Sequence, residues 1–484
     1  MSALKKLFKQ TFIYGMATVL PRMLSFLLVP LYTDLLPKEE YGKISVIFAY
    51  FILFNVVLAY GMETAFFRFY NKKENKSDVL STSSWSLIVS SFLFFVVAFF
   101  SAEWIAGVTN IAEKYINLVI WILLLDALVI IPFAWLRAAE KPMRYTIIKL
   151  LNVAMNFGLN IFFLIFLEDL AESSSVFQSI YIEDFEISYV FISNLIASGV
   201  TLLLMLPFYL RIQFSFDFLL WKKMLKYALP VLVAGIAFSI NEAFDKIMLD
   251  FLLPEKIAES EIGIYSACYK LAVFMTLFAT AFRLGIEPFF FSHASEENAK
   301  ETYAKITKYF VLLGSAIFIA VIVFIDILKV LIIRDSDYWE AMEIVPLILL
   351  ANLFLGIYHN LSVWYKITDR TKMGAYISIV GAVATIVLNL LLIPIMSYRG
   401  SAIATLAAYG IMMFLSFFIG KKYYPIPYNI KKISFYLLLS IAFSIVSFYF
   451  FRENYLVGAT LLILYVGIVF YAEKKELQQI LQTK

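Results

Sequence analysis

The sequence has one cysteine, Cys268, and two histidines, His293 and His359, in 484 residues. A lone thiol excludes an intramolecular disulfide and a cysteine-based metal cluster, and two histidines are too few for the common zinc sites. No metal and no organic cofactor are expected. Charge is scarce too: 16% of residues are Asp, Glu, Lys or Arg, against about 25% in soluble domains. Hydrocarbon takes the place of charge. Hydrophobic residues make up 62% against about 45–50% in soluble domains. They come in blocks of about 20 or more, the length that crosses roughly 30 Å of hydrocarbon at 1.5 Å per residue. The composition excludes a soluble fold and predicts an all-α polytopic membrane protein.

The formal net charge of +4 is divided among short loops instead of gathered on one face, so nucleic acid is not an expected partner. The basic start, MSALKKLFKQ, leads into an apolar stretch that is too long for a signal peptide. It runs through Pro21 and Pro30 with no small-residue cleavage site, and reads as the first span.

Apolar windows between charged breaks predict about fourteen spans: 11–33, 41–66, 79–104, 115–136, 145–167, 187–210, 224–253, 262–291, 306–333, 341–365, 373–396, 401–420, 433–451 and 455–472. With the amino terminus inside, alternate loops hold about 27 Lys and Arg, among them Lys5, Lys6, Arg68, Lys72, Arg137, Lys222 and Lys421, against about 7 on the other side. Both termini are therefore expected on the cytoplasmic side of the membrane. The longest outer loop, 168–186, carries no Lys or Arg and is too short for a domain. A membrane enzyme such as a glycan polymerase or ligase would need catalytic residues in a sizeable outer loop, so no enzyme activity is expected.

Three weak matches recur in order six spans apart. Leu35-Leu36-Pro37 followed by Gly42 matches Leu252-Leu253-Pro254 followed by Gly263; Leu159-Asn160-Ile161 matches Leu388-Asn389-Leu390; and 194–199 matches 405–410. The spacing predicts two six-helix lobes, 1–210 and 211–420, with two further helices and a tail in 421–484. Because six is even, the repeat is parallel, with its axis along the membrane normal and a central cavity between the lobes.

A charge at mid-membrane costs roughly 2.5–3.5 kcal/mol on the insertion scale, so such residues face a cavity or one another. The predicted spans contain Arg22, Asp126, Lys149, Lys270 and Arg283. Arg22 and Lys270 are candidates to hold an anionic group, with Asp126 and Lys149 beside them in the candidate substrate set. The alternatives are ion pairs of Arg22 or Lys270 with Asp126 or Asp245, and snorkelling of Lys149, Arg283 and Glu287. Span seven is the most polar. Asn241, Glu242, Asp245 and Lys246 fall within one stripe at about 100° per residue. They form a candidate ion-coupling site, or a local neutralisation of Glu242 by Lys246 four residues on. Asn160 and Asn389 read as helix-to-helix hydrogen-bonding groups, and Asn389 also joins the coupling candidates.

The opening YGMATVLPRMLSFLLVPLYTDLLPKEEYG resembles the first span of the Wzx-like polysaccharide (O-antigen) flippases, a family of the multidrug, oligosaccharidyl-lipid and polysaccharide (MOP) exporter superfamily. FDKIMLDFLLPEKIAESEIGIYSACYKLAVF with the later IEPFFF resembles spans seven and eight of that family, and LNLLLIPIMSYRGSAIATLAAYG resembles spans eleven and twelve. The resemblance implies alternating access by two lobes around a cationic cavity, with Arg22 and Lys270 at positions of cavity cations, and a groove for the lipid tail beside spans thirteen and fourteen. It implies as partners an undecaprenyl-pyrophosphate oligosaccharide, membrane lipids and other polysaccharide assembly proteins. The acidic residues of span seven depart from that pattern and suggest sodium or proton coupling. Two rivals within the superfamily are a cation-coupled multidrug antiporter and a lipid II-type flippase.

Overall fold

The computed structural model describes residues 19–21, 23–72, 75–294 and 296–482. Among them every regular element is helical and no strand forms. In hydrocarbon an unpaired backbone N–H or C=O is costly, and a helix pairs nearly all of its own. Eleven described helices are long and apolar enough to cross a membrane, or twelve if the pair Glu255–Lys270 and Val273–Glu287, bent by 49°, is one span. This is a multi-pass membrane protein. These helices fall on the expected spans from the second onward, and Thr371–Tyr423 covers two of them. Residues 11–18 of the expected first span, and Arg22, lie outside the described residues.

A straight helix of 53 residues would be about 80 Å long, far more than the roughly 30 Å of hydrocarbon. Thr371–Tyr423 is not straight: Ser397 has φ 49° and ψ −135°. A Cβ on Gly400 would lie 2.5 Å from the Leu392 carbonyl oxygen, whereas residues eight apart on one helix are separated by about 12 Å. The chain doubles back between 392 and 400, and only glycine fits at 400.

Packing divides the chain into two compact units, Met1–Gly263 and Ile264–Lys484. In the first, Phe218–Leu252 lies along Lys38–Ala59, and Glu186–Tyr209 packs on both Pro142–Ile161 and Glu113–Leu128. In the second, Val345–Leu361 packs on Thr371–Tyr423, while Ala299–Val323 takes up Ile430–Ile445 and Tyr455–Gln482. This division follows packing, whereas the boundary at 210 follows repeat spacing.

The first repeat match has a structural counterpart within the first unit. Gly42 and Glu259 each stand five residues after the matched prolines, Pro37 and Pro254. They cross: a Cβ on Gly42 would sit 1.9 Å from the Glu259 carbonyl oxygen, and one on Gly263 1.9 Å from that of Lys38. Lys43 Nζ adds an ion pair to Glu259 Oε2 at 3.2 Å. Small residues such as Gly42 and Gly263 are what close helix crossings in membranes need.

Two ion clusters anchor the last two spans in the second unit. Glu473, 1% exposed, takes Lys308 Nζ at 2.7 Å on one oxygen, and Lys432 Nζ at 2.9 Å with the Tyr436 hydroxyl at 2.7 Å on the other. Arg452 donates to both oxygens of Asp326 at 3.1 and 3.0 Å, and Lys329 Nζ lies 2.6 Å away. Carboxylates this buried are held by full pairing, since losing one partner strands a charge.

Candidate functional site

The first unit carries a polar ladder on Pro142–Ile161. Lys149, Asn152, Asn156 and Asn160 recur at three, four and four residues, which sets them on one helix face. Asn152 Nδ2 donates to Thr201 Oγ1 at 2.9 Å. Asn160 Nδ2 donates to Asn156 Oδ1 at 2.6 Å, and Asn160 Oδ1 accepts from the Tyr32 hydroxyl at 2.8 Å. Asp126, from Glu113–Leu128, accepts from Ser198 Oγ at 2.7 Å, and its charge and that of Lys149 act on each other. Lys149 Nζ also lies 4.3 Å from the centre of the Phe133 ring. The structure thus brings Asp126 and Lys149 into one electrostatic group beside the ladder. Asn152 and Asn156 were missed in the sequence reading; their signal was the helical spacing between Lys149 and Asn160.

On Phe218–Leu252 the expected stripe divides. Asn241 and Asp245 are buried while Glu242 is exposed. Lys246 does not neutralise Glu242; its Nζ lies 3.1 Å from Asp245 Oδ1, and its backbone N–H also donates to that oxygen at 2.9 Å. Lys270 is exposed at the end of Glu255–Lys270, beside the bend. Asn389 is fully buried in the second unit. Its Nδ2 donates to Thr385 O at 2.7 Å within its own helix, and its Oδ1 has no partner. Arg22 lies outside the described residues.

Glu287 does not snorkel away alone. Its Oε1 holds Lys366 Nζ at 2.6 Å, and one helical turn earlier Arg283 Nη1 meets His359 Nε2 at 3.5 Å. These four residues form a charged cluster in the second unit that the sequence reading did not assemble. The first unit holds a cavity of about 380 Å³ with walls such as Phe54, Phe94, Val97, Trp104, Ile116 and Leu123. Its nearly uniform hydrocarbon lining suits an apolar chain and offers nothing to a charged head group. No group of three or more His, Cys, Asp or Glu able to hold a metal occurs among the described residues.

Comparison with known proteins bears on what such groups serve. The family model described as polysaccharide biosynthesis protein matches residues 7–275, and the MatE model matches 230–391. No curated protein matches the chain in sequence. Among solved structures, an inward closed lipid II flippase MurJ superposes with a TM-score of 0.73 at 16% identity, covering 95% of this chain and 99% of MurJ. An inward-facing multidrug resistance MATE family transporter of the MOP superfamily gives 0.67 at 13% identity, over 82% of this chain and 93% of that one. A mutant MATE transporter of Vibrio cholerae gives 0.57 at 15%, over 86% and 96%. These likenesses show a shared fold, and the family match covers more than half of the sequence. The chain belongs to the polysaccharide biosynthesis protein family and has the fold of the MOP superfamily of membrane transporters and flippases.

Proposed function

We propose that this protein flips a polyprenyl-pyrophosphate-linked oligosaccharide from the cytoplasmic to the outer leaflet of a bacterial cytoplasmic membrane, by ion-coupled alternating access. The family match over residues 7–275 carries the reading. It is supported by a solved relative in fold being named a lipid II flippase. Arg22 and Lys270 hold the pyrophosphate, because an anionic group leaving water needs fixed positive partners. The polar ladder from Lys149 to Asn160 gives the sugars hydrogen-bonding partners along one helix face, replacing those lost from water.

Coupling falls to Asn241, Glu242, Asp245 and Lys246 with Asn389, where a sodium ion or a proton supplies the differential free energy that resets the cycle. The MatE match over 230–391 favours one rival reading, a cation-coupled multidrug antiporter. That rival needs an acidic and aromatic pocket for organic cations. The two readings separate in a binding assay with purified protein. The flippase reading expects retention of a polyprenyl-pyrophosphate oligosaccharide, lost in Arg22→Ala, and no retention of a cationic dye. Dye binding displaced by sodium or protons, with the lipid ignored, would replace this reading by the antiporter.

A further inference from the structure

The apolar cavity of the first unit is framed by one face from each of three neighbouring helices. Ile116, Val119, Ile120 and Leu123 recur at three, one and three residues, the spacing of a single face of Glu113–Leu128. Ile47, Tyr50 and Phe54 share a face of Lys38–Ala59 in the same way, and Phe94, Val97 and Ala98 one of Lys76–Phe100. The three helices pack on one another pairwise, yet these faces leave a space of about 380 Å³ between them. The Phe54 and Phe94 rings, 5.8 Å apart, close one end. Ten residues on from Phe94, past the break at Ser101 where φ is −103° and ψ 7°, Trp104 stands at the other.

The lining carries no charged side chain and only three hydroxyls, on Tyr50, Ser101 and Thr109. That of Thr109 donates to Ile105 O at 2.8 Å within its own helix. A polar ligand would lose its bonds with water and find almost none in return. The rim shows where an apolar ligand comes from: Val97 is 59% exposed and Trp104 71%, and both line the cavity. Exposed apolar side chains on a membrane-spanning unit face hydrocarbon, so the cavity opens sideways onto the bilayer. An engineered cavity of about 150 Å³ holds benzene, which gives about 380 Å³ room for roughly fifteen carbons. That accommodates a whole acyl chain of a phospholipid, whereas an undecaprenyl tail would leave most of its length outside.

We propose that this cavity binds one acyl chain of a membrane phospholipid, which enters beside Trp104 and ends against Phe54 and Phe94. The head group stays outside at the level of Trp104, the depth at which tryptophans gather in membranes. The chain restores the dispersion contacts that walls around an empty space forfeit. It ties Lys38–Ala59 to Lys76–Phe100 and Glu113–Leu128, as a lipid held by the unit and not transported. The site lies in the first unit, apart from the tail groove expected beside spans thirteen and fourteen, and the inference does not depend on which substrate the protein moves.

The test is native mass spectrometry of the purified full-length protein, delipidated in a steroid detergent too rigid to enter the cavity. It is titrated with palmitoyl lysophosphatidylcholine and then with undecaprenyl phosphate. One lysophospholipid per chain is expected, and undecaprenyl phosphate does not displace it. Val119→Trp and Val97→Trp fill the space from two different helices, so that one remains informative if the other fails to fold. Each lowers the affinity about tenfold, the loss expected when roughly two methylenes are kept out of the cavity. Leu203→Trp, at a position 63% exposed on Glu186–Tyr209 and outside the lining, leaves the affinity unchanged. No bound lysophospholipid, or equal affinity in the filling variants and the parent, overturns the site. Displacement by undecaprenyl phosphate overturns it as well, and gives the cavity to the tail of the transported lipid.

Discussion

Asn160 and Asn389 occupy matched places in the two halves of the sequence, and the structure treats them differently. Asn160 closes a circuit: Tyr32 donates to its oxygen and its amide donates to Asn156. Asn389 spends its amide on Thr385, and its oxygen is buried without a partner. One half uses the asparagine to fasten helices; the other keeps an acceptor open at a cost, since a buried acceptor without a partner forfeits about 1–3 kcal/mol of solvation.

The largest effect is expected at the crossing of the matched helix starts. Gly42→Leu drives a side chain into the Glu259 backbone, which cannot repack, and should cost about 3 kcal/mol or more. Glu259→Leu, across the crossing, loses only the half-exposed pair with Lys43 and should cost about 0–1 kcal/mol. Thermal unfolding in detergent reads both, and equal effects would remove the crossing from the account. The next effect separates the asparagines. Asn160→Leu strands the Tyr32 hydroxyl and should cost about 2 kcal/mol, whereas Asn389→Leu removes an orphaned acceptor and should lie within about 0.5 kcal/mol of the parent. If Asn389→Leu is the more damaging of the two, the contrast between the halves is wrong.

The spans from the second onward were legible from hydropathy, and the reversal at Ser397 falls in the short SYRG break between the two windows it separates. The bend between Lys270 and Val273 was not legible. Neither proline nor glycine stands there, whereas Pro207 and Pro230 lie inside helices that continue through them. Of the candidate site, Asp126 and Lys149 were legible as charges inside spans, but not as partners of each other, since Arg22 and Lys270 were the expected partners of Asp126. The pairing of Lys246 with Asp245 in place of Glu242 could not, because neighbouring side chains on a helix diverge and only their rotamers bring them together. Glu473 with Lys308 joins residues 165 apart, and the sequence reading had placed both lysine and glutamate at the ends of spans.

The most direct test of the central claim is translocation in proteoliposomes that contain the unmodified protein and a labelled polyprenyl-pyrophosphate oligosaccharide, with a sodium or proton gradient imposed. The account predicts gradient-dependent movement of the head group across the bilayer, abolished by Arg22→Ala. Movement that persists unchanged in Arg22→Ala, or no movement under either gradient, would contradict it.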